Sequence, residues 1–215
     1  MELISTRPAL RGVSHVVASF LGLAGMLWLI ALAASPREYV SAAIYSASLV
    51  MLFGFSAAYH TLPWPPRPRR VMKRLDHSTI FLLIAGSYTP FCLLALNNVW
   101  GLTILSVVWS LAAAGVVLKL FWIDGPRWLG VTCYLGMGWL GLLAAPALAG
   151  SVTVWTSAAL LTGGLLYTAG AVVYASRRPD PFPSMFGYHE VFHLFVIAGA
   201  AIHYGLVVAL FAGVA

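Results

Sequence analysis

Residues 12–34 read GVSHVVASFLGLAGMLWLIALAA, a stretch without a single Asp, Glu, Lys or Arg. As a helix rising about 1.5 Å per residue it reaches roughly 34 Å, enough to cross a hydrocarbon core about 30 Å thick. Six more runs of the same kind follow, at roughly 39–62, 76–96, 99–121, 128–149, 152–175 and 187–212. The reading is an all-α membrane protein: one domain over residues 1–215, a bundle of seven transmembrane helices.

The breaks between runs have local causes. Ser35-Pro36 ends the first, and Pro63-Trp64-Pro65-Pro66 ends the second, because proline lacks an amide donor and restricts its predecessor. Asn97-Asn98, Asp124-Gly125-Pro126, Gly150-Ser151 and Pro179-Asp180-Pro181 separate the rest. Short connections predict antiparallel neighbours. Pro90 and Pro146 fall inside helices 3 and 5, where local kinks are expected, and Gly163, Gly164 and Gly170 suit close packing of helix 6.

Composition agrees. The 215 residues are 61% hydrophobic and 8% charged, whereas soluble domains are about 25% charged. A net charge of +6 raises the question of nucleic acid. The basic residues sit in short breaks with no polar domain to carry a binding face, so nucleic acid is excluded and membrane lipids are the expected partners. Cys92 and Cys133 lie inside apolar runs and form no framework.

Eleven of the twelve Lys and Arg fall on one side of this topology: Arg7 and Arg11, Arg67 to Arg74, Lys119 and Arg127, and Arg177 and Arg178. Arg37 stands alone on the other. The positive-inside rule therefore predicts a cytoplasmic N-terminus and an outside C-terminus, in a multi-pass protein of the cell (plasma or inner) membrane. The stretch from Pro65 to Arg74 is expected to be a solvated cytoplasmic loop.

Ionisable residues at membrane depth are costly and mark function. Here they cluster on the basic side. Ser56 and His60, four apart, end helix 2; Asp76 and His77 are expected to open helix 3; His189 and His193, again four apart, begin helix 7. A spacing of four is about one helical turn, so each pair shares a face. Three imidazoles, His60, His189 and His193, form the ligand set of a catalytic Zn2+ site whose fourth position is left to water. Asp76 is the expected base toward that water, and Ser56 the expected hydrogen-bonding partner of water, carboxylate or substrate. Glu190 ranks second as base. It completes His189-Glu190-Val191-Phe192-His193, the H-E-x-x-H pattern of zinc proteases. His15 and His77 are expected beside the ligands rather than among them, with an interfacial position as the alternative for His15 and helix packing for His77. His203 is too deep for the same metal and is expected to make an interhelical hydrogen bond. The competing reading of the whole cluster is a polar network bracing the bundle.

At these residues a family comes into view. Ser56-Ala57-Ala58-Tyr59-His60, Leu75-Asp76-His77-Ser78-Thr79-Ile80, Ile84-Ala85-Gly86-Ser87-Tyr88-Thr89-Pro90 and Phe186-Gly187-Tyr188-His189-Glu190-Val191-Phe192-His193 resemble the signature blocks of the bacterial hemolysin III family. That family lies within the progestin and adipoQ receptor superfamily, with the adiponectin receptors. The resemblance covers nearly the whole chain. It implies seven helices, a cytoplasmic N-terminus, zinc held at His60, His189 and His193, and Asp76 and Ser56 beside it. It further implies a metal-dependent hydrolase of membrane lipid amides or esters, tied to lipid homeostasis. A non-catalytic sensor of membrane state with structural zinc is the alternative, and a cytolytic pore a further one.

Overall fold

The computed structural model describes residues 10–148 and 150–215. Arg7, counted above for orientation, and Ala149, at the expected end of helix 5, lie outside the described residues. Among the described residues, seven helices are long and apolar enough to cross a membrane: α1 Val13–Leu32, α2 Pro36–Thr61, α3 Pro66–Leu96, α4 Val99–Phe121, α5 Arg127–Leu148, α6 Val154–Ser176 and α7 Tyr188–Phe211. Among the described residues there is no β-strand, only a single antiparallel bridge between Phe182 and Phe186.

The helix starts follow from the residues in front of them. Before α2, the Ser35 side chain accepts from the Glu38 amide while Glu38 accepts from the Ser35 amide, with Pro36 in the first turn. This reciprocal cap satisfies donors that an N-terminus otherwise leaves orphaned. Asn98 caps α4 through the Gly101 amide, and Thr153 caps α6 through the Thr156 amide. Across the same end of the bundle, Arg37 of α2 donates to the Asn97 side chain in the 3–4 connection.

The helices close into a ring of neighbours that runs through α3. α1 packs on α2 and α7, α2 on α3, α3 on α4, α5 on α6, and α6 on α7. α3 touches α2, α4, α5 and α7, and both its faces are covered. Leu83 joins a core with Leu29, Tyr45, Leu49, Leu52, Phe53, Val196 and Val207. Phe81 and Ala85, on the other face, join Cys92, Ile104, Val108, Ala112, Met137 and Ala144. The large side chains that point away from these cores are apolar, among them Phe20, Leu21, Leu27, Trp28, Val99, Phe121 and Trp155. In water such a surface would be a large aggregation-prone patch; against lipid tails it is the ordinary exterior of a bundle.

Both helices with an internal proline are irregular, one directly after the proline and the other six residues before it. After Pro90, α3 finishes as a π-helical turn over Phe91–Leu96. α5 is interrupted at Leu140, six residues before Pro146. The Tyr88 hydroxyl donates to the Met137 and Gly138 carbonyls that this interruption releases, at 3.0 and 2.6 Å. Tyr88 is thus a helix-bracing residue. Of the three α6 glycines, Gly163 lies against the His203 ring and Gly170 against Phe195, whereas Gly164 faces open space.

One expectation needs correction. α3 does not begin at Asp76 after a loop; it is helical from Pro66. Prolines in a first turn cost little, because those amides have no intrahelical partner, and Arg and Lys are good helix formers. His60, next to last in α2, faces Asp76, ten residues into α3. The first turns of α3 therefore project about 15 Å past that level, carrying Arg67, Arg69, Arg70, Lys73 and Arg74 on a helix. Arg70 and Lys73 pair with Asp124 of the 4–5 connection at 2.8 and 3.0 Å, and Lys73 foremost, then Arg70, hold its carboxyl below the usual range.

Candidate metal centre

α2 delivers His60 one residue before its end, and α7 delivers His189 and His193 from successive turns of its start. The side chains face one another from the two helices, and the imidazoles converge. Their ligand atoms all lie within 4.8 Å of one another. The three rings are mutually inclined by 64°, 65° and 66°, like blades around one axis. The Nε2 atoms of His60 and His189 are 3.2 Å apart. Two ligands at the ~2.05 Å of a zinc–imidazole bond, subtending a tetrahedral angle, would be separated by about 3.3 Å. The donor set therefore fits a small divalent ion.

Asp76 flanks this set. Its Oδ2 lies 3.9 Å from His60 Nε2 and 3.3 Å from His77 Nδ1. Ser56, one turn before His60 and buried, lies beside the same carboxylate. His77 Nδ1 donates to the Lys73 carbonyl at 2.9 Å, and the Tyr134 hydroxyl donates to the His77 carbonyl at 3.0 Å. His77 thus turns its ring away from the other histidines and touches Asp76 from behind.

His15 of α1 is buried against the flank of the cluster. Only 3% exposed, it stacks on His193 with ring centroids 3.7 Å apart and planes 13° from parallel, and Phe53 meets its other side edge-on. Glu190 faces elsewhere. Its Oε1 accepts from Arg11 Nε at 2.8 Å and its Oε2 from the Gly187 amide at 2.7 Å, closing the N-terminal cap of α7. Both oxygens are engaged, on the side of the helix turned toward the start of α1. His203 reaches the Leu160 carbonyl of α6 at 3.3 Å, an interhelical bond well below the site.

Arg11 and Gly12 had no place in the sequence-based site. A signal existed: Arg11 stands four residues before His15, the spacing that joins His189 to His193. Gly12 adopts φ +84°, and a Cβ there would stand 2.7 Å from His60 Cβ. Outside this shell, an open groove of about 570 Å³ runs between the end of α2 and the start of α3, with His60, Trp64 and Arg69 in its wall.

The fold and the cluster define a multi-pass, seven-helix membrane protein with a largely buried three-histidine group able to hold a metal ion. Residues 4–204 match the family model described as haemolysin-III related. The chain is 33% identical over 192 residues to hemolysin-3 of Bacillus cereus, covering 88% of this chain and 84% of that one. It is 34% identical over 192 residues to the hemolysin-3 homolog of Bacillus subtilis (strain 168), covering 88% and 87%. The human monocyte to macrophage differentiation factor is 28% identical over 171 residues, 78% of this chain and 68% of that protein. The chain belongs to the haemolysin-III-related family.

Proposed function

We propose that this protein is a zinc-dependent hydrolase of membrane lipid amides or esters, working in the cell membrane with its histidine cluster near the cytoplasmic face. The observation that carries the reading is the convergence of three imidazoles on one point, with a carboxylate and a serine beside them, inside an otherwise apolar bundle. Structural metal sites are normally closed by four protein ligands. Among the described residues the atoms that converge are three, from His60, His189 and His193, and Asp76 stands to one side.

Those histidines would hold the ion. Zinc so bound supplies a Lewis acid that polarises a carbonyl and acidifies water. Asp76 accepts the proton of the attacking water and returns it to the leaving amine or alcohol. Contact with His77 keeps its carboxylate turned inward. The Ser56 hydroxyl donates to Asp76 or to the developing oxyanion. The apolar surroundings exclude bulk water and strengthen each of these interactions. A lipid would bring its scissile bond to this level from the groove between α2 and α3 or from the bilayer.

The test begins with the metal content of detergent-purified protein by elemental mass spectrometry. Wild type is expected to carry near one zinc per chain and His60→Ala essentially none. Lipid extracts incubated with wild type and with Asp76→Asn then decide the chemistry. Hydrolysis present in the first and lost in the second supports the hydrolase. Equal turnover in both, with the fold intact, overturns it. Zinc without any hydrolysis points to a structural centre and a sensing role.

A further inference from the structure

The start of α1 makes four contacts with the elements that carry the histidine cluster. Arg11 pairs with Glu190, the residue between the two α7 histidines, at 2.8 Å; the Glu190 side chain is 3% exposed and that of Arg11 21%. Gly12, in a left-handed conformation that spares it a side chain, lies directly on His60. His15 stacks on His193. The Leu10 amide donates to the Met185 carbonyl in the 6–7 connection at 3.2 Å. One six-residue stretch thus touches α2, α7 and the loop leading into α7.

Two of these contacts are unusual for packing alone. Breaking into a nearly buried ion pair leaves an uncompensated charge, so such pairs persist where they fix a geometry. The His15 ring is buried with no hydrogen-bond partner at either nitrogen among the described residues. Buried polar groups are rarely left so.

We propose that Arg11 and His15 are positioning residues of the metal centre: the Arg11–Glu190 pair sets the rotation of the first turn of α7, and the His15 ring sets the plane of His193. Together they aim His189 and His193 at the point faced by His60. Residues that orient metal ligands typically change affinity by about 10- to 100-fold when removed. The inference rests on the metal-binding reading above, but its failure is separable from the failure of that reading.

The experiment measures zinc affinity by chelator competition, and the visible absorption of the Co2+-loaded protein as a report of ligand geometry. Wild type, Arg11→Gln, Glu190→Gln, the double variant, His15→Ala and His15→Phe are compared, each with its metal-free melting temperature. Gln at 190 retains an oxygen for the Gly187 amide, so the cap survives while the charge pair is lost. His15→Ala and Arg11→Gln are expected to weaken zinc by about tenfold or more and to alter the cobalt spectrum. His15→Phe restores most of the loss, because the stack remains. The double variant is no worse than either single change, because both remove one interaction, and it carries no unpaired charge if Arg11→Gln folds poorly. Wild-type affinity and spectrum in His15→Ala and in the folded double variant overturn the proposal. Absence of zinc from wild type overturns the metal reading itself.

Discussion

Each residue at the site meets a different test. His193, 1% exposed, has no room to be replaced by water, so His193→Ala is expected to lose zinc outright while leaving the seven-helix fold in place by circular dichroism. His77 lies behind Asp76 and outside the convergent set. His77→Ala is therefore expected to retain near one zinc per chain but to lower hydrolysis, since Asp76 loses a contact that fixes its orientation. Zinc loss in His77→Ala would place that ring among the ligands. The histidines were legible because spacing and depth are local properties: four apart on a helix, at the basic end of an apolar run. The partner of Glu190 was not legible. Arg11 is separated from it by 179 positions, and in sequence it counts only as one more topology charge. H-E-x-x-H suggested a base where the structure uses the carboxylate to anchor a helix start.

Helix packing decides whether those side chains meet at all. α2 and α3 approach closely at Gly86, where a Cβ would collide with the Ser48 side chain and stand 3.5 Å from the Ile44 carbonyl. This contact sets the distance between the helices that bear His60 and Asp76. Gly86→Val is expected to destabilise the protein by about 1–3 kcal/mol, as overpacked cores do, read as a lower melting temperature. Ser48→Ala in the same chain should recover part of it by removing the atom struck first. A melting temperature equal to wild type in Gly86→Val would mean that the helices part without penalty. The helical start of α3 is the element the sequence misrepresented. A stretch with prolines and five basic residues reads as a loop by composition, yet those prolines occupy the one turn of a helix that tolerates them. The interruption of α5 at Leu140 shows the converse. Pro146 announced an irregularity, but where it falls depends on Tyr88 of another helix, which no local pattern encodes.

Across the whole molecule, the cluster joins helices from opposite ends of the chain. Metal bound there stabilises the native state by mass action, about 2.7 kcal/mol at a hundredfold excess over Kd. Chelation is accordingly expected to lower the melting temperature of wild type in detergent and to leave that of His60→Ala unmoved. An identical shift in both would indicate metal held elsewhere. The number of helices was legible because lipid demands long uncharged runs; their orientation rests on Lys and Arg alone. Reporter fusions at the two ends are expected to place the N-terminus inside and the C-terminus outside. The reverse would move the cluster to the outer face and deny it cytoplasmic substrates.

The ring of helices closes on itself through α1 and α7, joined by Arg11–Glu190 at one level and by the Tyr204 hydroxyl on the Gly25 carbonyl, 2.8 Å, at another. During synthesis, His15, His60 and Asp76 enter the membrane early, while His189 and His193 arrive with the last helix. A nascent chain therefore carries one member of the trio through most of its translation, and one stalled before α7 would lack the two histidines that the proposed metal centre needs. On the proposed reading, capture of the ion would report that α2 and α7 have found each other.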